Sequence, residues 1–180
     1  MARVALFGGS FNPPHVGHQM VMLYALETAR VERLLMVPCF VHAFEKALAP
    51  FAQRLEMCRL AADIFGGRVE VSDVEGRLGG ESRTLHTVRA LLDARPDDEL
   101  VVVIGSDLLA ERERWLGWEE LRKLVDFFVV AREGHATVDD VVVPGISSTA
   151  VRARIAAGGD ASRWLPAGVA SFVAAHGLYR

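Results

Sequence analysis

The chain is poor in cysteine: Cys39 and Cys58 are the only two among 180 residues, and they share no CxxC or metal-ligand spacing. So few thiols offer neither a disulfide framework nor a cysteine-built zinc site, and they point to a reducing cytoplasm. An excess of positive charge is also missing. The formal net charge is −3, which gives no overall field for nucleic acid or for an anionic membrane surface. Any anionic ligand must then be held by a local cluster of positive groups. No apolar run approaches the ~20 residues of a membrane span. A basic-then-apolar leader is absent too, because a strand pattern starts at once from Arg3. Two familiar nucleotide fingerprints are lacking. The glycines do not form GxGxxG, no acidic residue of the expected kind ends the second predicted strand, and GK[ST] does not occur. These absences disfavour a dinucleotide-dependent oxidoreductase domain and a Walker-type ATPase or kinase. Repeats, low-complexity tracts and linkers are not found, so residues 1–180 read as a single domain, long enough to bury a substantial core.

What is present is an alternation. With 51% hydrophobic and 24% charged residues the composition is globular. Strand patterns run over Arg3–Phe7, Arg33–Val37, Arg68–Val71, Leu100–Ile104, Asp126–Ala131 and Val138–Val143. Helical patterns run over Val16–Ala29, Gln53–Phe65, Thr84–Ala94, Trp118–Leu124, Ser147–Ala157 and Pro166–His176. Met20, Met22, Leu23 and Leu26 are read as the first helix's packing stripe, and Leu55, Cys58, Leu60, Ala61 and Ile64 as that of the second. The unbroken Leu100–Ile104 run suits a central parallel strand covered on both faces. The order predicts an α/β fold: a Rossmann-like, doubly wound, mainly parallel sheet with helices on both faces. Ligands of such sheets bind outside the carboxyl ends of the strands, which gathers the loops after Phe7, Val37 and Ile104 on one rim.

The most informative stretch is Gly9-Ser10-Phe11-Asn12-Pro13-Pro14-His15-Val16-Gly17-His18, between the first strand and the first helix. Backbone N–H groups and the helix dipole point outward at such a turn, which suits phosphate. Two imidazoles three residues apart on a first helical turn share a face and can donate to phosphate oxygens. Zinc would need further ligands, and no nearby Cys, His or carboxylate has the spacing.

This stretch resembles the GxFxPxHxGH signature of the nucleotidyltransferase superfamily of adenylyl- and cytidylyltransferases. Ile146-Ser147-Ser148-Thr149-Ala150-Val151-Arg152 resembles that superfamily's second motif, ISSTxxR. The two motifs lie in the family's order, ~130 residues apart, as in a single-domain member. More narrowly, the chain is similar to bacterial nicotinate-nucleotide adenylyltransferases. The further residues are Leu6-Phe7-Gly8-Gly9-Ser10-Phe11, Gly105-Ser106-Asp107 with Trp115 downstream, Leu165-Pro166, and the closing His176-Gly177-Leu178-Tyr179-Arg180.

The resemblance implies transfer of the AMP part of ATP to nicotinic acid mononucleotide, giving deamido-NAD and pyrophosphate, with nicotinamide mononucleotide left open as a further acceptor. The attacking phosphate oxygen is already ionised, since a monoester's second pKa is ~6, so alignment and charge neutralisation are the catalytic tasks. His18, then His15, are the expected catalytic donors. Gly8, Gly9 and Gly17 are expected to let phosphate or ribose approach, with Ser10 and Phe11 completing the turn. Ser147, Ser148, Thr149 and Arg152 are expected to cradle the outer phosphates, and Lys46 with His42 to reach the triphosphate from the second loop. A Pro-His-Lys-like run is usual there; this chain has His42-Ala43-Phe44-Glu45-Lys46. Thr84, Gly105, Asp107 and Trp115 are expected around the ribose and pyridine, with Trp115 stacking on the ring. Arg83 stands where the family often has Tyr, and an expectation to be tested is that its charge favours a carboxylate over an amide. Cys39, Cys58, His86, His135 and His176 are read as packing or surface residues. Magnesium is expected on the ATP phosphates, not in a protein cage. The partners are ATP and a pyridine mononucleotide, without nucleic acid or membrane; self-association is left open. The rival readings are phosphopantetheine adenylyltransferase, against which His15 and the Ile146–Arg152 motif speak, and a non-catalytic dinucleotide-binding module. The preferred reading requires Ser148 and Arg152 to lie beside His15 and His18.

Overall fold

Among the described residues five strands form one parallel sheet: β1 (Arg3–Gly9), β2 (Arg33–Pro38), β3 (Val69–Val71), β4 (Glu99–Gly105) and β5 (Asp126–Val130), side by side in the order β3-β2-β1-β4-β5. The computed structural model describes residues 1–41, 48–106, 115–131 and 142–180. Between and after the strands run α1 (Val16–Thr28), α2 (Phe51–Ala62), α3 (Val74–Leu78), α4 (Thr84–Ala94), α5 (Trp118–Leu124), α6 (Ser148–Ala156) and α7 (Ala167–Ala175). None of the described helices is long and apolar enough to cross a membrane.

The strands are β-rich on both faces because both faces are covered. Ala5, Leu34, Met36, Val101 and Val103 pack with Met22, Ala25 and Leu26 of α1 and with Cys58 and Ala62 of α2. The alternate residues, Val4, Leu6, Leu35, Val37, Leu100, Val102 and Ile104, pack with Val74, Leu85, Val88 and Leu121 of α3, α4 and α5. Period-two alternation thus divides the residues of β1, β2 and β4 between two apolar layers. A third cluster joins Met57 and Ala61 of α2, Val151 of α6, and Val169 and Val173 of α7. The last two helices therefore dock on α2 and not on the sheet. That docking brings the start of α6 to the turn after β1.

Most predicted elements stand, with informative differences. β1 and β4 run on to Gly9 and Gly105 because parallel pairing continues, Gly9 opposite Pro38 and Gly105 opposite Val130. The second helix ends at Ala62, and Asp63–Phe65 tightens into a 3-10 turn stopped by Gly66 at φ +57°. Met20 and Leu23 are exposed; the buried stripe of α1 is Met22, Ala25 and Leu26. Likewise Ile64 is exposed, and α2 buries Arg54, Met57, Cys58, Ala61 and Ala62. The five-residue α3 was not legible in the sequence, being too short to show a helical period. Most of the expected Val138–Val143 strand lies outside the described residues; of the remainder, the Val143 N–H donates to the Ala131 carbonyl at 3.4 Å.

Candidate active site

β1 lies between β2 and β4, so its carboxyl end falls where the strand order reverses. Open parallel sheets leave a crevice at that point. The chain leaves Gly9 through a turn in which buried Phe11 has φ +44° and the Asn12–Pro13 bond is cis. His15 then caps α1 with extended backbone, and its N–H donates to His18 Nδ1 at 3.0 Å. That bond makes Nδ1 an acceptor and leaves the neutral ring's proton on Nε2. The two imidazoles are stacked, with centroids 3.7 Å apart and planes 24° apart. Phe11 meets His18 edge-on at 4.9 Å and Phe7 lies at 6.0 Å.

The pair is not two equivalent donors side by side. His15 is buried at 4% exposure, whereas His18 is half-buried. His15 is the platform on which His18 rests. The glycines fit this arrangement. A Cβ on Gly17 would lie 3.0 Å from His15 Nδ1, and one on Gly9 would lie 3.0 Å from the Phe11 ring. Both missing side chains make room for neighbouring rings. Gly8 is different: it is exposed, and a Cβ there meets nothing closer than the Val37 carbonyl at 4.0 Å. Close approach of a ligand to backbone is open at Gly8 and half-buried Ser10.

The hydroxyl-rich start of α6 meets this turn directly. Ser147 Oγ accepts the Ala150 N–H at 3.1 Å as an ordinary N-cap. Ser148 Oγ donates to the Pro13 carbonyl at 2.9 Å, and Arg152 Nη1 donates to the Asn12 carbonyl at 2.8 Å. Arg152 Nη2 lies 3.5 Å from Thr149 Oγ1, with Thr149 exposed. The two motifs, distant in sequence, form one surface.

Beneath them is a residue the sequence reading missed. Arg54 of α2 is 1% exposed. It donates to the carbonyls of Ala49 (2.9 Å), Ser10 (3.0 Å), Cys39 (2.7 Å) and Phe40 (3.2 Å). One guanidinium thus ties the loop after β1, the loop after β2 and the approach to α2, spending its donors on main chain. The Phe40 N–H donates in turn to Glu75 Oε2 at 3.2 Å, and Thr87 Oγ1 donates to Glu75 Oε1 at 2.8 Å. Cys39 lies in this network; burial pushes its thiol up, while the Arg54 charge opposes that shift.

Comparison with known proteins gives the chain's family. The model of the cytidylyltransferase-like family matches residues 6–154, a span that contains both motifs. A protein of Anaeromyxobacter dehalogenans named "probable nicotinate-nucleotide adenylyltransferase" is 42% identical, over 98% of this chain and 96% of that one. One of the same name from Myxococcus xanthus is 34% identical, over 98% and 94%. The chain belongs to the nicotinate-nucleotide adenylyltransferase family. Its fold matches the Plasmodium falciparum nicotinic acid mononucleotide adenylyltransferase complexed with NaAD, with a TM-score of 0.85 at 18% identity, covering 99% of this chain and 98% of that one.

The other residues that the resemblance to nicotinate-nucleotide adenylyltransferases singles out are placed less uniformly. Thr84 opens α4, half-buried, next to the loop after β2: the Ser82 N–H donates to the Val41 carbonyl at 3.0 Å, and the Phe40 N–H to Ser82 Oγ at 2.8 Å. Arg83 is engaged by Glu81 Oε2, 2.6 Å from Nη2, which offsets the charge expected to select a carboxylate. Gly105 ends β4 on the rim. Trp115 packs edge-on to Trp118 at 6.2 Å against the α4–α5 apolar layer, so part of its ring is committed to packing. His42, Lys46, Asp107 and His135 lie outside the described residues. Cys39 and Cys58 are buried free thiols, and His86 and His176 are exposed. Among the described residues no three His, Cys, Asp or Glu gather as a metal cage.

Proposed function

We propose that this chain transfers the AMP part of ATP to nicotinic acid mononucleotide, releasing pyrophosphate and giving deamido-NAD. The observation that carries the reading is the docking of Ser148 and Arg152 on the turn that presents His15 and His18. The mononucleotide phosphate oxygen attacks the α-phosphorus, and the bond from that phosphorus to the pyrophosphate oxygen breaks. No base is needed, because the attacking monoester's second pKa is ~6. His18, with Nε2–H as donor, stabilises charge growing on the α-phosphate oxygens. His15 holds that ring in place, and Gly8, Gly9, Ser10, Phe11 and Gly17 shape the turn. Arg152, which rests on the Asn12 carbonyl, has five N–H donors and turns toward the outer phosphates beside Ser147, Ser148 and Thr149 when the triphosphate binds. Thr84, Gly105, Asp107 and Trp115 are assigned to the acceptor's side, and Lys46 to the triphosphate.

The donor set suits a polyphosphate that brings its own divalent ion. Magnesium on the phosphates would lower their charge and help align the leaving group. The test is incubation with ATP, magnesium and either nicotinic acid or nicotinamide mononucleotide, with products separated by chromatography. The proposal expects deamido-NAD and equimolar pyrophosphate from the acid. Ligand binding without pyrophosphate release would leave a binding module instead.

A further inference from the structure

Three stretches of chain meet at Asn12, which is 2% exposed. Its side-chain Oδ1 accepts the Ala49 N–H at 3.0 Å and the Tyr179 O–H at 2.8 Å. Its main-chain carbonyl accepts Arg152 Nη1 at 2.8 Å. Tyr179 is the penultimate residue, from the closing His176–Arg180 stretch to which the proposed chemistry gives no part. The end of the chain is folded back to place it. The Leu178 N–H returns to the Val173 carbonyl at 3.1 Å, and Leu178 and Tyr179 both pack on the third apolar cluster. Tyr179 itself has φ +64°, and Phe11, beside Asn12, has φ +44°. Bulky residues keep such backbone only where the surroundings over-determine it. Both strained residues flank one hydrogen-bonded point, three residues ahead of His15. Burial pushes the Tyr179 hydroxyl up, so it remains a donor throughout the neutral range.

We propose that Tyr179 is a positioning residue for the His15–His18 turn, its hydroxyl holding Asn12 while Arg152 turns toward the polyphosphate. This rests on the phosphate role given to Arg152 above. The Asn12 carbonyl and a triphosphate compete for the Arg152 guanidinium, and the charged acceptor is the stronger. When the triphosphate arrives, Asn12 loses part of one tie at the moment its turn must be rigid. The phenol is neutral and faces an amide oxygen, so its bond persists. Asn12 held there fixes Pro13 and the approach to His15, whose N–H sets the His18 ring.

Tyr179→Phe removes the hydroxyl alone, and Ala49 still satisfies Asn12 Oδ1. We expect kcat to fall ~10-fold, the ordinary scale for losing an orienting partner of a reactive group. KM for ATP should change less than ~2-fold, and the melting temperature by under ~3 °C, as for one modest hydrogen bond. Installing 4-aminophenylalanine at position 179 keeps ring and donor and should restore kcat. Without any ligand, exchange of the His15 amide should quicken severalfold in Tyr179→Phe while the amides of β4 keep their protection. A kcat within ~2-fold of the parent overturns the proposal. Should the parent itself make no dinucleotide, it is the functional reading that fails. The His15 amide then decides the positioning role alone, and unchanged exchange overturns it.

Discussion

Gly17→Ala separates the placement of the two rings proposed to be catalytic from the stability of the fold. Gly17 is the second residue of α1, and the added methyl carbon would lie 3.0 Å from His15 Nδ1, 3.1 Å from Cε1 and 3.7 Å from Ile146 Cβ. Ordinary contact begins near 3.4 Å, so the imidazole must retreat by about 0.4 Å. That imidazole is stacked on the His18 ring with centroids 3.7 Å apart, so its movement disturbs the stack. The displacement therefore passes to His18. A misplacement of ~1 Å in a catalytic group costs ~10²-fold, so about 0.4 Å corresponds to roughly tenfold in kcat. Stability should move the other way or stay. Alanine is better than glycine in a helix by ~0.5–1 kcal/mol, which offsets the local crowding. Steady-state pyrophosphate release and thermal melting, measured on the same sample, read both effects. A variant with parental kcat would refute the reasoning, whatever its melting temperature.

Other outcomes follow from single sites. His18→Ala should lower kcat by ~10²-fold or more with an unchanged circular dichroism spectrum, as for removal of one preorganised donor; near-parental turnover would remove His18 from the mechanism. Arg54→Met strips four carbonyls of a buried partner and should cost ~3–5 kcal/mol, or ~10 °C in melting temperature, with loss of activity following loss of fold. Calorimetry would contradict this if the variant melted with the parent. Alkaline stability has a defined sign. Burial raises the thiols of Cys39 and Cys58 and the hydroxyl of Tyr179, so an unfolded chain releases protons that the native state retains. Their contribution is intact below the ordinary cysteine value of 9.0 and is lost as pH rises above it. Denaturant midpoints between about pH 8 and 10.5 should fall, with a shallower slope in Cys58→Ala.

The fold was largely legible because strands covered on both faces read as uninterrupted apolar runs, as in β4, and because Gly and Pro mark the breaks. Of the candidate site, the turn was legible: Gly9 to His18 reads as a strand-to-helix junction, and the structure places it there. What escaped were side chains whose surroundings are tertiary. Arg54 stands at i relative to Met57, Cys58 and Ala61 at i+3, i+4 and i+7, all of them buried. That spacing is the signal that could have found it, but an arginine on a helix is ordinarily taken for a solvent face. The different environments of His15 and His18 depend on Phe7, Phe11 and the packing of α6, none of which sequence spacing encodes. The exposure of Met20 and Leu23 has the same origin: which flank of α1 meets the sheet is settled by the crossing of α1 over it. Tyr179 was visible only as part of a family-like ending, since a bond between residues 12 and 179 leaves no local pattern.

The central claim is that both motifs serve one triphosphate, and the most direct measurement is a crystal structure with a non-hydrolysable ATP analogue and magnesium. The account predicts His18 Nε2 at hydrogen-bonding distance, about 3 Å, from an α-phosphate oxygen, with Arg152 on the outer phosphates of the same molecule. A triphosphate bound with His18 and Arg152 both out of contact would contradict it.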